Sequence, residues 1–443
     1  MKKIGLSILG IVAVAAIYYF TSGSAQLTQE MKAQLNSELS TLQIQGFTVE
    51  NRKIEEQKEH FILSLDNPKK VATFLNTQGA QLNPEDIEVL KGFKLGVDVH
   101  YMADAYSAVS LDMYPVALPD ATKASALTDS DKKVLNHIEN MMEKKALLLH
   151  VDINKLATGF KGYMKDINEI FEGESKLTLT LKKLKFDGDI TNDKLNAIHQ
   201  TLSELRMKAD NELDMHLNGL ESQYKITGKT NYDYTTDYRI KDITISAPSE
   251  FMLLIQKTTA TTTSSSKNGL VSVNMKSAAE KLTLHNDGQK LKLKEMAFDM
   301  KVDNLDIAAI KGLEQAQSKT EAEINALLQQ LISKAVHIEM PTFAIADIDY
   351  NDQKLKGFEM NAKLDIDKSL NLATLEQNPM AAVSAIDANL NLMLSTELFG
   401  ILAQQPQAMM AMMLFQPKDV NGKKVYKVEL KNGSVKVNGQ PIM

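Results

Sequence analysis

Hydrophobic residues along this chain recur with two periods, one typical of helices and the other of strands. Leu27, Met31, Leu35, Leu39 and Leu42 recur every three or four residues, with polar residues between them. This spacing places them on one face of a helix. It predicts an amphipathic helix that begins near residue 27.

After this helix, apolar and polar residues alternate. Phe47 and Val49, and then Phe61, Leu63 and Leu65, alternate with polar residues as half-buried strands do. Longer helical patterns interrupt the strands at 131–145, 152–172, 191–204 and 306–335, and two more fall within 372–415. The polar stretch TTATTTSSSKNG, near 256–269, predicts an exposed hairpin loop or linker, at which the domain of residues 26–443 would divide into two lobes.

A strand pattern is repeated along the chain with irregular spacing. Its clearest copies are LKGFKLGVDV at Leu90, LKKLKFDGDI at Leu181, LKEMAFDMKV at Leu293 and LKGFEMNAKL at Leu355, and looser copies begin at 202 and 240. In each copy the apolar positions change phase just after the leading residue, as a β-bulge would cause by placing two residues opposite one. The predicted fold class is therefore α+β: a large curved antiparallel β-sheet built from bulged hairpins, with inserted amphipathic helices.

The apolar face of such a sheet has two interpretations. It is covered by the amphipathic helices, or it forms an open trough that holds a lipid chain or a partner's helix or strand. The run MMAMMLF, which ends at Phe415, adds flexible thioethers that adapt to irregular apolar surfaces. The candidate apolar binding surface comprises Phe93, Leu95, Met296, Phe298, Met300, Phe358, Met360, Met409, Met410, Met412 and Met413.

The first residues predict export across a membrane. An uncharged apolar run occupies 4–20 after Lys2 and Lys3, and it ends in an aromatic cluster that suits a membrane interface. Gly23 and Ala25 would also suit a cleavage site, so residues 1–25 are a signal anchor or a signal peptide. We expect a single span through the bacterial inner membrane, with residues 26–443 forming a periplasmic α+β domain.

Composition excludes several kinds of chemistry. The 443 residues include no cysteine, so disulfides, iron–sulfur clusters and thiol catalysis are absent. The net charge is −6, which gives no support to nucleic-acid binding.

Motifs of catalysis and metal binding are also missing. The eight histidines are scattered singly, without a His-Glu-x-x-His helix, and nucleophile-elbow, Walker and dinucleotide glycine motifs are absent. Carboxylate pairs occur at 187/189, 347/349 and 365/367, where the two-residue spacing on a strand favours a solvated polar face. No catalytic residue, metal site or cofactor is predicted.

The C-terminal residues resemble a known family. The string LKNGSVKVNGQPI at 430–442, and KSLNLATLEQNPMAAVSAIDANLNLMLSTELF before the Met- and Gln-rich segment, resemble the bacterial YdgA and YihF proteins, a family with a domain of unknown function. Members tend to carry an Arg-Gly-x-Phe-Ser type motif early on, and here EHFILSLD at Glu59 keeps only the phenylalanine, Phe61. The resemblance implies a membrane-anchored periplasmic protein and supplies no catalytic residues. The strands also look distantly like those of AsmA-type envelope proteins that carry lipid along apolar grooves.

Two hypotheses of function follow. The first is a non-enzymatic, membrane-anchored periplasmic protein that binds a protein partner or supports envelope maintenance. The alternative is a lipid-binding or lipid-transfer protein that uses an apolar β-sheet groove. A lipid carrier should have a continuous apolar trough left uncovered by its helices, whereas an interaction protein should have a closed core. An envelope hydrolase is a third hypothesis, and it would require a cleft that gathers histidines or paired acids from distant strands.

Overall fold

The computed structural model describes residues 28–77, 87–191, 194–210, 212–247, 251–314, 316, 319–374, 383–405 and 415–442. The chain forms two compact units, and the boundary between them falls after Glu221, within strand β11 (Leu213–Ile226). Antiparallel strands dominate both units and a few helices accompany them, which confirms the predicted α+β class.

In its described residues, the first unit combines four helices with an antiparallel sheet. The helices are α1 (Thr28–Ile44), α2 (Pro68–Thr77), α3 (Asp120–Ala124) and α4 (Asp129–Glu143). The strands before β11 are β1 (Phe47–Ile54), β2 (Lys58–Leu65), β3 (Lys94–Tyr101), β4 (Ser107–Ala117), β5 (Leu149–Asn154), β6 (Gly159–Met164), β7 (Ile167–Glu172), β8 (Lys176–Lys182), β9 (Lys185–Thr191) and β10 (Lys194–Ala209). Strands β1 to β6 pair in chain order. Strand β9 lies between β6 and the first half of β10. Strand β8 lies between β7 and the second half of β10.

The core of the first unit lies between α1 and the sheet. Met31, Leu35 and Leu39 are buried on one face of α1, which confirms the predicted amphipathic helix. Val99 and Val151 on the sheet are wholly buried in the same cluster. The alternation of apolar residues along β2 to β5 turns one face of the sheet towards the core and leaves the other polar.

The second unit is a meander of long strands. Its strands after β11 are β12 (Tyr234–Ala247), β13 (Phe251–Lys267), β14 (Leu270–Asn286), β15 (Gln289–Asp306), β16 (Val336–Tyr350), β17 (Gln353–Ile366), β18 (Ile386–Ser395), β19 (Lys418–Val420), β20 (Lys423–Lys431), β21 (Ser434–Val437) and β22 (Gln440–Pro441). Its helices are α5 (Ile307–Leu313), α6 (Glu321–Ile332) and α7 (Thr396–Leu402), with a short 3₁₀ turn at Leu372–Thr374. Strands β12 to β18 pair in chain order, and β20 follows β18.

Several helix predictions agree with the structure. The pattern at 131–145 is α4, and the pattern at 306–335 is α5 and α6. Thr320 is the N-cap of α6 and forms a capping box with Glu323. A new helix therefore starts at this point, which explains why the longer pattern divides there. In 372–415 the structure describes α7 and the 3₁₀ turn, while residues 375–382 and 406–414 lie outside the described residues.

Three predictions were wrong, and in each case strands replace the expected element. Residues 152–172 fall in β5 to β7, and Leu156, which completes the helical spacing, is exposed in the turn between β5 and β6. Residues 191–204 fall mainly in β10, which pairs with β9 and β8. The polar stretch near 256–269 is the second part of β13, paired on both edges, and only Asn268 and Gly269 form a turn. Its threonines suit strands because they are β-branched.

The phase change in the repeated pattern has a different origin from the one predicted. At one level of the sheet, six adjacent residues form no pair in the ladder: Lys241, Lys257, Glu280, Glu295, Ala346 and Gly357. The register is the same on both sides of this level, so the predicted β-bulge is wrong at Leu293. Lys257 and Glu295 instead adopt a φ of 50°. At this level each strand of a neighbouring pair has one unpaired residue. Neither strand therefore has an extra residue relative to its neighbour, and the register does not shift.

No helix among the described residues is long and apolar enough to cross a bilayer. The predicted span at 4–20 lies outside the described residues.

Candidate functional site

The second unit brings several of the predicted surface residues together. Met296, Phe298 and Met300 alternate along β15 and therefore point to one face of the sheet. Across the intervening strand β16, Met296 is aligned with Phe358 on β17, and Phe298 is aligned with Met360. Residues from two distant copies of the repeated pattern thus share one surface.

This surface continues across four strands without a polar side chain, and we call it the apolar face. Its members are Met296, Phe298, Met300 and Val302 on β15, Ile338, Met340, Phe343 and Ile345 on β16, Phe358, Met360, Ala362 and Leu364 on β17, and Ala388, Leu390, Leu392 and Leu394 on β18. Residue spacing along strands and the distance between strands give it a backbone extent of roughly 20 Å by 14 Å.

An aromatic ladder crosses the middle of the apolar face. The rings of Phe298 and Phe343 lie 6.0 Å apart at 83°, and those of Phe343 and Phe358 lie 5.2 Å apart at 79°. Edge-to-face pairs of this kind hold the rings in fixed orientations. Sequence reasoning missed Phe343, although the alternation of Phe343 and Ile345 is a signal that could have found it.

The apolar face is not covered as a core would be. Leu394 is buried, at 5% exposure, and every other member is half-buried. Helix α7 contacts β17 and β18, and α6 contacts β15, where Gln330 Nε2 donates a hydrogen bond to Asp306 at the strand end. Beside the described helices of this unit, the members of the face other than Leu394 therefore remain partly exposed.

The opposite face of the same strands is polar and charged. Lys301, Glu339 and Lys363 follow one another across β15, β16 and β17, and Lys363 Nζ lies 2.9 Å from Glu339 Oε1. The hydrogen bond from Lys363 lowers the pKa of Glu339, and the hydrogen bond to Asp303 raises the pKa of Lys301. Solvated ion pairs account for this face, so the two faces of the sheet differ sharply in polarity.

The remaining predicted surface residues lie elsewhere. Phe93 and Leu95 are 8% and 1% exposed in the core of the first unit, so they cannot form part of an accessible surface. They are buried because α1 and neighbouring strands pack over this part of the sheet. Met409, Met410, Met412 and Met413 lie outside the described residues.

The polar face of the first unit gathers histidines that are scattered in the sequence. His60, Asp98, Asp112 and His150 are consecutive partners across β2 to β5. His60 Nδ1 lies 2.7 Å from Asp98 Oδ1, and His150 Nδ1 lies 2.7 Å from Asp112 Oδ1. We call these four residues the His–Asp ladder.

The His–Asp ladder is explained by mutual charge compensation. Burial would raise the pKa of Asp98, but hydrogen bonds from Lys145 and His60 outweigh it, and the pKa is lowered. The hydrogen bond to Asp112 is the main cause that raises the pKa of His150. Asp98 and Asp112 are directly opposite each other, where two negative charges would repel, and the histidines and Lys145 offset that repulsion. Among the described residues, no group of three or more potential ligands could hold a metal ion.

Comparison with known proteins assigns a family. Residues 157–443 match the family described as bacterial protein of unknown function (DUF945). The chain belongs to this family. No curated protein and no solved structure matches the chain. The matched residues contain the whole second unit, including the apolar face, whereas the His–Asp ladder precedes them. The more specific resemblance to YdgA and YihF stays a prediction.

Proposed function

We propose that this DUF945 member is a non-enzymatic lipid-binding protein whose second unit holds acyl chains on the apolar face. A single observation carries the proposal: in the described part of the chain the members of the apolar face are only half-buried, while the reverse of the same strands is polar. An apolar patch of a few hundred Å² on a soluble domain usually marks an interaction site. Of the hypotheses drawn from the sequence, the alternative, a lipid-binding groove, therefore fits better than a closed interaction domain.

The chemistry of the face favours a lipid over a protein surface. Protein interfaces combine apolar contacts with hydrogen bonds and are rich in tyrosine and arginine. The apolar face has no polar side chain with which a partner could form hydrogen bonds, and it carries methionines such as Met296, Met300 and Met360. Thioether side chains have several rotatable bonds and adapt to an occupant of variable shape, as a flexible acyl chain is.

The proposal includes a place in the cell. Residues 4–20, preceded by two lysines, would anchor the chain in the bacterial inner membrane and leave the rest in the periplasm. A lipid-binding domain tethered there would act on lipids of the envelope. This location rests on the sequence pattern alone.

Photocrosslinking in living bacteria tests the proposal on the full-length chain. The photoreactive residue p-benzoylphenylalanine would replace Phe343, on the apolar face, or Thr342, the adjacent residue of β16 that points to the polar face. After irradiation, mass spectrometry of the purified chain should show adducts of lipid mass at position 343 and not at 342. Equal labelling at both positions, or none at 343, would contradict lipid binding on this face. Adducts of protein mass at 343 alone would favour the partner hypothesis.

A further inference from the structure

A pocket lies at the end of the hairpin formed by β14 and β15. Its volume is about 370 Å³, and it is lined by Phe251, Met252, His285, Gly288, Gln289 and Lys290. Two of these side chains are basic and one is an amide, and no carboxylate lines the pocket. Gly288 forms the turn with a φ of 77°, and a Cβ there would meet nothing within 4 Å, so the turn leaves the pocket open.

The two basic residues face each other, and the nearby acid in the turn, Asp287, does not line the pocket. His285 and Lys290 are direct partners in the ladder. On the far side of Lys290, the neighbour is Asn351 in the turn just after β16, and its Oδ1 accepts a hydrogen bond from the Lys290 backbone N–H. Neither basic side chain forms a salt bridge within the described part of the chain. Two opposed side chains that can donate hydrogen bonds and that have no salt-bridge partner are suited to contact an anion.

Another pair of the same hairpin shows the usual arrangement. Lys281 and Lys294 are also direct partners, but Asp347 is the next residue across the sheet from Lys294. That carboxylate offsets their charge, and Lys356 and Lys294 both contribute to its lowered pKa. The basic pair in the pocket therefore differs in having Asn351, and not a carboxylate, as its neighbour across the sheet.

A buried hydroxyl lies near the pocket along the chain but does not line it. Thr283 is 5% exposed, and its Oγ1 has no hydrogen-bond partner among the described residues. It lies two residues before His285 on β14, so both side chains point to the same face of the sheet. The residues that line the pocket do not include Thr283, so the site consists of His285, Lys290 and their neighbours in the pocket wall.

From these features we propose that the pocket binds a phosphate group. The ammonium of Lys290, the imidazole of His285 and the amide of Gln289 together offer several donors, which suits an anion with several acceptor oxygens. Phe251 and Met252 add an apolar wall beside the basic pair. Resting on the proposed function, the inference extends to the source of the phosphate: it is the headgroup of a phospholipid whose chains lie on the apolar face.

The test compares two lipids that differ in the phosphate group. The full-length chain, in a mild detergent, is offered equal amounts of phosphatidylglycerol and diacylglycerol with identical acyl chains, and bound lipid is measured by native mass spectrometry. The site variant combines His285→Gln with Lys290→Gln, and the control variant combines Lys281→Gln with Lys294→Gln. The wild type and the control should prefer phosphatidylglycerol by about tenfold or more, since charged hydrogen bonds are at stake. The site variant should bind both lipids equally.

The outcomes separate this inference from the proposed function. A site variant that keeps the preference, or a control that loses it equally, overturns the phosphate site while leaving lipid binding intact. If the wild type binds neither lipid, the proposed function fails. Thermal unfolding in sodium phosphate against sodium chloride of equal ionic strength then decides the site. A higher melting temperature in phosphate, absent from the site variant, would assign free phosphate as the ligand, and no difference would overturn the site.

Discussion

Replacing Gly357 by alanine should destabilise the second unit, because the sheet has no space for a Cβ at this position. Gly357 lies in β17, and an added Cβ would be 1.8 Å from the carbonyl oxygen of Ile345 on β16. Real Cβ atoms essentially never approach closer than 3.0 Å, so the two strands would have to separate by about 1.2 Å.

The expected cost follows from what this separation disrupts. Overpacking in a well-packed site costs about 1–3 kcal/mol. Moving the strands apart also stretches ladder hydrogen bonds on either side of Gly357, near Phe358 and Lys356, each worth about 1 kcal/mol. Alanine restricts the unfolded chain and offsets about 0.5 kcal/mol. The net loss of unfolding free energy should be about 3 kcal/mol.

Urea unfolding followed by far-UV circular dichroism would measure this loss, and hydrogen exchange with mass spectrometry would locate it. Exchange should accelerate in peptides from β16 and β17. The matched control is Gly400→Ala in α7, where an added Cβ meets nothing within 4 Å. That change should stabilise the chain by about 0.5–1 kcal/mol, since alanine favours helix. A Gly357→Ala variant with unchanged unfolding and exchange would refute the close-approach argument.

Three further predictions concern protonation and the apolar face. Since hydrogen bonding to Asp112 raises the pKa of His150, its contribution to stability should be complete below about pH 6.5 and lost as pH rises through the folded pKa. His150→Gln should flatten the pH dependence of the urea midpoint between about pH 5 and pH 9, and a profile identical to that of the wild type would contradict this. The hydrogen bond from the Thr230 backbone N–H is the main cause that lowers the pKa of Asp233 to about 2. The stability that the Asp233 carboxylate contributes should therefore persist above pH 3.8 and vanish as pH falls towards 2. Asp233→Asn should lose this acid-sensitive change in melting temperature, and a variant that keeps it would count against the assignment. Phe343→Ala removes two edge-to-face contacts and should cost about 1–3 kcal/mol in urea unfolding; a smaller loss would mean that the ring is not held by its neighbours.

Local patterns predicted the parts of elements in which one period holds over several consecutive repeats. The spacing of Met31, Leu35 and Leu39 predicts α1 and its buried face, and alternation along β15 and β17 places Met296 and Phe358 on the correct side of their strands. Prediction failed where turns interrupt a pattern. Short strands joined by turns can imitate helical spacing, as in 152–172, because the turn residues add the offset that a helix would require.

Pairing partners also lie beyond the reach of local pattern. The threonine- and serine-rich part of β13 has no apolar signal, and it becomes a strand because β12 and β14 bond to both of its edges. The His–Asp ladder and the pocket of His285 and Lys290 arise in the same way, since direct neighbours across strands are distant in the chain.

The sequence by itself determined the class of fold, the absence of cysteine chemistry and which side chains share a strand face. Only the tertiary structure decided which of those faces are covered. Leu95 and Phe298 both belong to copies of the same strand pattern, yet Leu95 is buried under packed elements of the first unit and Phe298 stays half-exposed in the second. The physical reason is that a two-residue period fixes the direction of a side chain, whereas its burial depends on contacts made by distant parts of the chain.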